Sequence, residues 1–157
     1  MAIITISRGT FSGGKAVAEK LAERLDYPCL SRESITKEAA HFFGIDESLL
    51  NDSMTEAPSI LRSDRPISAT NVNYARSVLL NHVRSLQLIY HGYAGDMLLR
   101  GVSKVLRVRI LASSAYRVSA AMEQHEIDHE NAVKMIQRLD SKRNKWSQTV
   151  LGVEWTD

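Results

Sequence analysis

The sequence predicts an α/β fold built around a parallel sheet, and three features carry that expectation. Short strand-like runs alternate with longer stretches of helical apolar spacing. The run from Val105 to Ile110 alternates strictly, with Val105, Arg107 and Arg109 on one face and Leu106, Val108 and Ile110 on the other. A glycine-rich turn joins the first strand-like run to the first helical one, at the kind of corner where open parallel sheets bind their ligands.

Taken in order, Ile3, Ile4 and Ile6 form a β-branched run suited to a buried parallel strand. After the glycines, KAVAEKLAERL sets Val17, Ala18, Leu21, Ala22 and Leu25 at helical spacing. YPCL is a second short strand. SRESITKEAAHFFG reads as a helix with Ser31 as its N-cap and Gly44 as its terminator. IDESLLNDSM is a shorter, weaker helix. Thr55 to Thr70 holds two of the three prolines among Ser, Asp and Arg, and reads as a mobile loop. Helical spacing resumes in NVNYARSVLLNHVRSL, LIYHG is a third strand, AGDMLLRG a short helix between glycines, and KVLRVRILA the fourth strand. Two helices, SAYRVSAAMEQ and HENAVKMIQRLDSKRNKWSQTVL, complete the chain.

At 157 residues, 44% apolar and 24% charged, the composition fits one soluble globular domain. The formal net charge of +2 gives no overall pull toward nucleic acid or membrane, so any anion site has to be built locally. Cys29 is the only cysteine, which rules out a disulfide within the chain and fits a reducing compartment. No stretch approaches the ~20 apolar residues of a membrane span, and the N-terminus lacks the pattern of a leader. A cytoplasmic protein is expected.

The chemistry is concentrated in ISRGTFSGGKAVAEKL, which contains G-x-x-x-x-G-K at Gly9, Gly14 and Lys15. Such a loop brings backbone N–H groups close to a polyphosphate, and the helix that follows adds its positive end. Lys15 supplies a point charge, Arg8 a second cation, and the pair Gly13-Gly14 suits a tight nest. Ala16 stands where a phosphate loop usually carries the Ser or Thr whose hydroxyl helps to hold Mg²⁺. That loss removes at most one metal ligand, because Mg²⁺ keeps waters and takes phosphate oxygens, and Ser12 is a substitute. The expected ligands of the loop are therefore a nucleotide polyphosphate and Mg²⁺, with metal affinity weakened more than nucleotide affinity.

ITISRGTFSGGKAVAEKLAERLDYP, HGYAGDMLLRGVSKVLRVRILASSAYRV and AVKMIQRLDSKRNKWSQTVLGVEWTD together resemble the opening, the central turn and the lid region of the cytidylate kinase-like family. That family belongs to the P-loop nucleoside monophosphate kinases, and its phosphate loop commonly lacks the Ser or Thr after the lysine. The resemblance implies a single P-loop NTPase-type domain over residues 1–157, with an acceptor-side helical insertion at 32–87 and lid-like helices at 113–150. It also implies a last strand and helix that this sequence does not contain. The implied activity is ATP-dependent phosphorylation of CMP or a similar small acceptor. The implied phosphate binders run from Arg8 and Gly9 through Ser12, Gly13, Gly14, Lys15 and Ala16. Lys15, Arg138 and Arg143 would be catalytic; Arg117 and Asp140 would belong to the lid; Arg32, Gly92 and Tyr93 would contact the acceptor.

Ser31 stands where the family usually has Asp, Gly92-Tyr93 where it usually reads Gly-Arg, and His91 where related kinases often place an acidic residue. These differences sustain an alternative: a catalytically weak nucleotide-binding or regulatory protein. An uncovered edge on the Val105–Leu111 strand would invite pairing with another chain, so a homodimer is open.

Competing signals have simpler explanations. HEIDH matches a zinc-protease pattern, but Asp128 reads as the N-cap of the final helix and would break the helix between His125 and His129. Arg107 and Arg109 read as snorkelling or paired residues at a sheet margin. Lys142 to Lys145 is too short a basic run for nucleic acid in a nearly neutral chain. Arg62 and Arg65 stand in a loop that either closes on an acceptor phosphate or is simply solvated, while Trp146 and Trp155 read as packing anchors and Cys29 as core.

Overall fold

A computed structural model describes residues 2–57, 69–84, 87–92 and 94–154. Its strands are β1 (Ile3–Arg8), β2 (Cys29–Ser31), β3 (Leu88–His91) and β4 (Val105–Ile110). They form a four-stranded, all-parallel sheet in the order β2-β3-β1-β4. Helices α1 (Gly14–Leu25), α2 (Arg32–Phe43), α3 (Glu47–Ser53), α4 (Ala69–Val83), α5 (Gly95–Leu98), α6 (Ser114–His125) and α7 (His129–Trp146) flank it.

The period-2 pattern sorts side chains onto two faces of the sheet. Ile4, Ile6 and Ile89 meet Ala18 and Ala22 of α1, with Val108 and Ile110 alongside. Ile3, Leu88 and Tyr90 join the larger core of α2 and α4 on the other face. On α1 the buried row is Gly14, Ala18 and Ala22, whereas Val17 and Leu25 are exposed. Small residues at i, i+4 and i+8 let α1 lie close on the sheet with Leu21 packed alongside, while Val17 and Leu25 depart from the expected stripe.

Several boundaries follow from local chemistry. Ser31 caps α2 by accepting from Ser34 N, and Ser34 Oγ returns a bond to the Ser31 backbone. Gly44 ends that helix at φ 65°. Asp128 caps α7 through Asn131 N, so His125 and His129 lie on different helices. The expected 23-residue final helix changes at Trp146 into a π-helical turn, Ser147–Leu151. Trp146 is fully buried in the larger core and its Nε1 donates to Ser53 O at 2.7 Å, which ties α7 to α3. Residues 69–70 of the expected loop open α4. The rest of that loop from residue 58 on, with Arg62 and Arg65, lies outside the described residues, as do Leu86, Tyr93 and Trp155.

The packing makes Trp146 a keystone on both apolar and polar grounds. Trp146→Ala should lower the unfolding free energy by about 3–5 kcal/mol, read as a reduced urea midpoint with α-helical content otherwise retained below the transition.

Candidate functional site

The site begins with a helix start that has no cap. Gly13 stands at φ 74° before α1 and offers no side chain to the helix amides. The first backbone bond of the helix runs from Val17 N to Gly13 O. The amides of Gly14, Lys15 and Ala16 therefore have no partner within the helix and point out of its positive end. Inside the turn, Ser12 is buried and its Oγ has no hydrogen-bond partner. Glycine is required at position 14 by space and favoured at position 13 by its positive φ. A Cβ at Gly14 would lie 2.6 Å from Arg8 Cβ, and one at Gly13 would lie 3.0 Å from Tyr116 Oη.

The turn is held from outside by the α6–α7 hairpin. Thr10 Oγ1 donates to Asp140 Oδ1 at 2.6 Å, Arg117 Nε donates to Thr10 O at 2.8 Å, and Arg117 Nη2 pairs with the other Asp140 oxygen. Arg143 Nη1 donates to Arg8 O at 3.3 Å. Phe11, at φ 56°, packs against the small core of Val118, Ala121, Ala132 and Ile136 between the two helices. Among the residues picked out from the sequence, the structure thus gathers Arg8, Gly9, Ser12, Gly13, Gly14, Lys15, Arg117, Asp140 and Arg143. Arg138 lies apart, exposed on another face of α7 with Asn131, Lys134 and Met135. Lys15 is mostly exposed and its Nζ lies 3.7 Å from Glu19.

Beside the turn, a cavity of about 290 Å³ is lined by Arg8, Arg32, Glu33, Gly92, Lys142 and Arg143, with Thr55 and Leu139. Gly92, at φ 148°, lets the end of β3 approach α2, since a Cβ there would meet Arg32 Cβ at 3.0 Å. Arg32 is largely buried and grips Glu33 through Nε and Nη2, while its Nη1 is buried without a partner. Burial alone would raise the Glu33 pKa, but hydrogen bonds from Arg32 and the Glu33 backbone, with the Arg32 charge, outweigh it and bring it to about 2. His91 is 5% exposed with an unpartnered Nδ1. Burial, and then the charge of Arg8, push its pKa down, so the ring is neutral at pH 7. Burial and then Glu19 push the Cys29 thiol up, and the residue packs, partly buried, against the smaller sheet core.

The residues fit a polyphosphate better than they fit a metal. Among the described residues no cluster of three or more His, Cys, Asp and Glu side chains could hold an ion. Ala16 has no donor and the Thr10 hydroxyl is engaged by Asp140. Ser12 Oγ is the loop hydroxyl without a partner.

The model of the cytidylate kinase-like family matches residues 3–157. The chain belongs to the cytidylate kinase-like family. No curated protein matches it. Two solved structures show the same fold. One is a protein of Eubacterium ventriosum ATCC 27560, with TM-score 0.74 and 19% identity, over 100% of this chain and 82% of that one. The other is shikimate kinase from Aquifex aeolicus, with TM-score 0.52 and 15% identity, over 94% and 83%. Membership of the family supports a nucleotide-kinase-like function for this cytidylate kinase-like protein, and no helix among the described residues is long and apolar enough to cross a membrane.

Sequence reasoning passed over Thr10, Phe11 and Tyr116, all of which the fold brings to the loop. It read Arg109 as a sheet-margin residue, yet Arg109 shares a depression with Gly9, Arg117 and Asp140. Arg107 matches its expected structural part, since its Nη2 donates to Leu99 O at 2.9 Å.

The Arg32–Glu33 pair carries a pH signature. The Glu33 pKa is lowered in the fold, so its contribution to stability is complete above the ordinary value of 4.5 and is lost as pH falls toward about 2. In Arg32→Ala the Glu33 carboxyl should titrate higher, back toward the ordinary carboxylate range, in a ¹³C-detected NMR titration.

Proposed function

We propose that the protein is an ATP-dependent nucleotide kinase that transfers the γ-phosphoryl group to CMP or a similar small anionic acceptor. The observation that carries this reading is the uncapped helix start beside a cationic cavity. The amides of Gly14 to Ala16 and the cavity lined by Arg8, Arg32 and Arg143 share one corner of the sheet. Phosphoryl transfer requires alignment and positive charge more than covalent chemistry from the protein.

In this reading the loop amides and Lys15 bind the ATP phosphates, with the Lys15 ammonium released from its exposed contact with Glu19. Arg8 and Arg143 border both loop and cavity and stabilise negative charge between donor and acceptor. Arg32 Nη1, buried and unpartnered, takes an anionic group of the acceptor, and the close approach at Gly92 holds that arginine in place. Tyr93 would add to the acceptor side. Arg117 and Asp140 fix the loop against α6 and α7 as the lid base, and Arg138 would join only if the hairpin turned. Ser12 is the residue that would hold Mg²⁺, which when bound would supply positive charge against the phosphates. A homodimer contact belongs at β4, an edge of the described sheet, where Leu106 is 56% exposed.

A second reading, a catalytically weak nucleotide-binding or regulatory protein, is favoured by one observation. His91, neutral and buried, occupies the end of β3 next to the loop.

Turnover separates the two. ADP formation from ATP–Mg²⁺ should depend on an added nucleoside monophosphate, CMP among a panel. Lys15→Ala should reduce it on the order of a hundredfold. Tight ATP binding with no acceptor-dependent ADP would establish the second reading, and an unchanged Lys15→Ala variant would remove the lysine from the site.

A further inference from the structure

Tyr116 lies over the glycine nest. It is the third residue of α6, and its hydroxyl oxygen is 3.0 Å from where a Cβ of Gly13 would stand. Its Cζ and Cε1 are farther, at 3.8 and 3.9 Å, so the polar tip approaches the loop and the ring trails behind it. Two anchors place it there. Ser113 caps the helix by accepting from Tyr116 N, and the adjacent Arg117 donates to Thr10 O. Apolar burial does not account for the position. The side chain is 53% exposed and belongs to none of the apolar clusters among the described residues.

We propose that the Tyr116 hydroxyl is a phosphate ligand: it donates a hydrogen bond to the polyphosphate seated on the Gly14–Ala16 amides. The proposal rests on the nucleotide-binding reading above and adds a residue to it. The loop offers N–H donors on one side of a bound anion. A phenol O–H beside Gly13 supplies a further donor next to them. It also answers the substitution at Ala16. The hydroxyl that a phosphate loop usually draws from its own helix comes here from a different helix, and it reaches phosphate oxygen rather than metal. The buried, unpartnered Ser12 Oγ on the inner side of the turn independently marks the loop as lacking a polar partner.

Calorimetric titration with ATP, and separately with inorganic triphosphate, tests this on the wild type, Tyr116→Phe and Tyr116→Ala. Tyr116→Phe should weaken both ligands by a similar factor, on the order of tenfold, with an unchanged thermal midpoint. Tyr116→Ala should weaken triphosphate by no less. Wild-type affinity for triphosphate in Tyr116→Phe would overturn the proposal. So would tighter binding in either variant, which would make the tyrosine a cover that ligands displace. A loss confined to Tyr116→Ala with ATP would overturn it in favour of ring contact with the nucleoside. If the wild type binds neither ligand, the nucleotide reading fails and this assignment with it. Wild-type binding that Tyr116→Phe leaves untouched removes this assignment alone.

Discussion

Asp140 accepts from Thr10 with one oxygen and pairs with Arg117 through the other, and Arg117 returns a bond to the Thr10 carbonyl. This closed set of contacts joins a turn near the start of the chain to two helices near its end. The site depends on it because the turn has unusual backbone. Phe11 stands at φ 56°, a region that costs a non-glycine residue on the order of 1–3 kcal/mol. Packing its partly buried ring against the hairpin core offsets a share of that cost, less than the roughly 1.5–3 kcal/mol that full burial of such a side chain contributes. The hydrogen bonds to Thr10 then select the one conformation in which the amides of Gly14 to Ala16 face outward.

The α6–α7 hairpin is consequently more than a cover. Arg117 and Asp140 position the loop, Phe11 inserts into the hairpin's core, and Arg143 reaches the Arg8 carbonyl while lining the neighbouring cavity. A displacement of the hairpin would be felt at the loop amides and at the Arg8–Arg32 cavity together. Coupling of that kind suits phosphoryl transfer, where the donor and acceptor must be aligned before charge moves. Cations concentrate at this corner although the chain as a whole carries a formal charge of only +2.

Much of this was legible in the sequence wherever the cause is local. Alternation of Val105 to Ile110, the cap at Ser31, the terminator at Gly44 and the cap at Asp128 each express a preference within a few residues. The G-x-x-x-x-G-K spacing likewise located the uncapped helix start. The loop's supports were not legible, because Thr10 is separated from Arg117 by 107 residues and from Asp140 by 130. Phe11 drew no reading from the sequence, because its partners in the hairpin core are more than 100 residues away. Arg138 and Arg143 appeared equivalent as basic residues around Asp140. Five positions apart on a helix, however, they lie about 140° from each other, and Arg143 is the one that reaches the loop.

The central claim is that the free backbone N–H groups at the β1–α1 corner bind phosphate. The most direct measurement is an ¹H–¹⁵N correlation spectrum of the intact chain titrated with ATP, following the amide signals of Gly13, Gly14, Lys15 and Ala16. The account predicts that these four move first and furthest, with saturation at a single affinity. If they stay in place while ATP perturbs another surface, or if no signal moves at all, the corner is a structural turn and the account is contradicted.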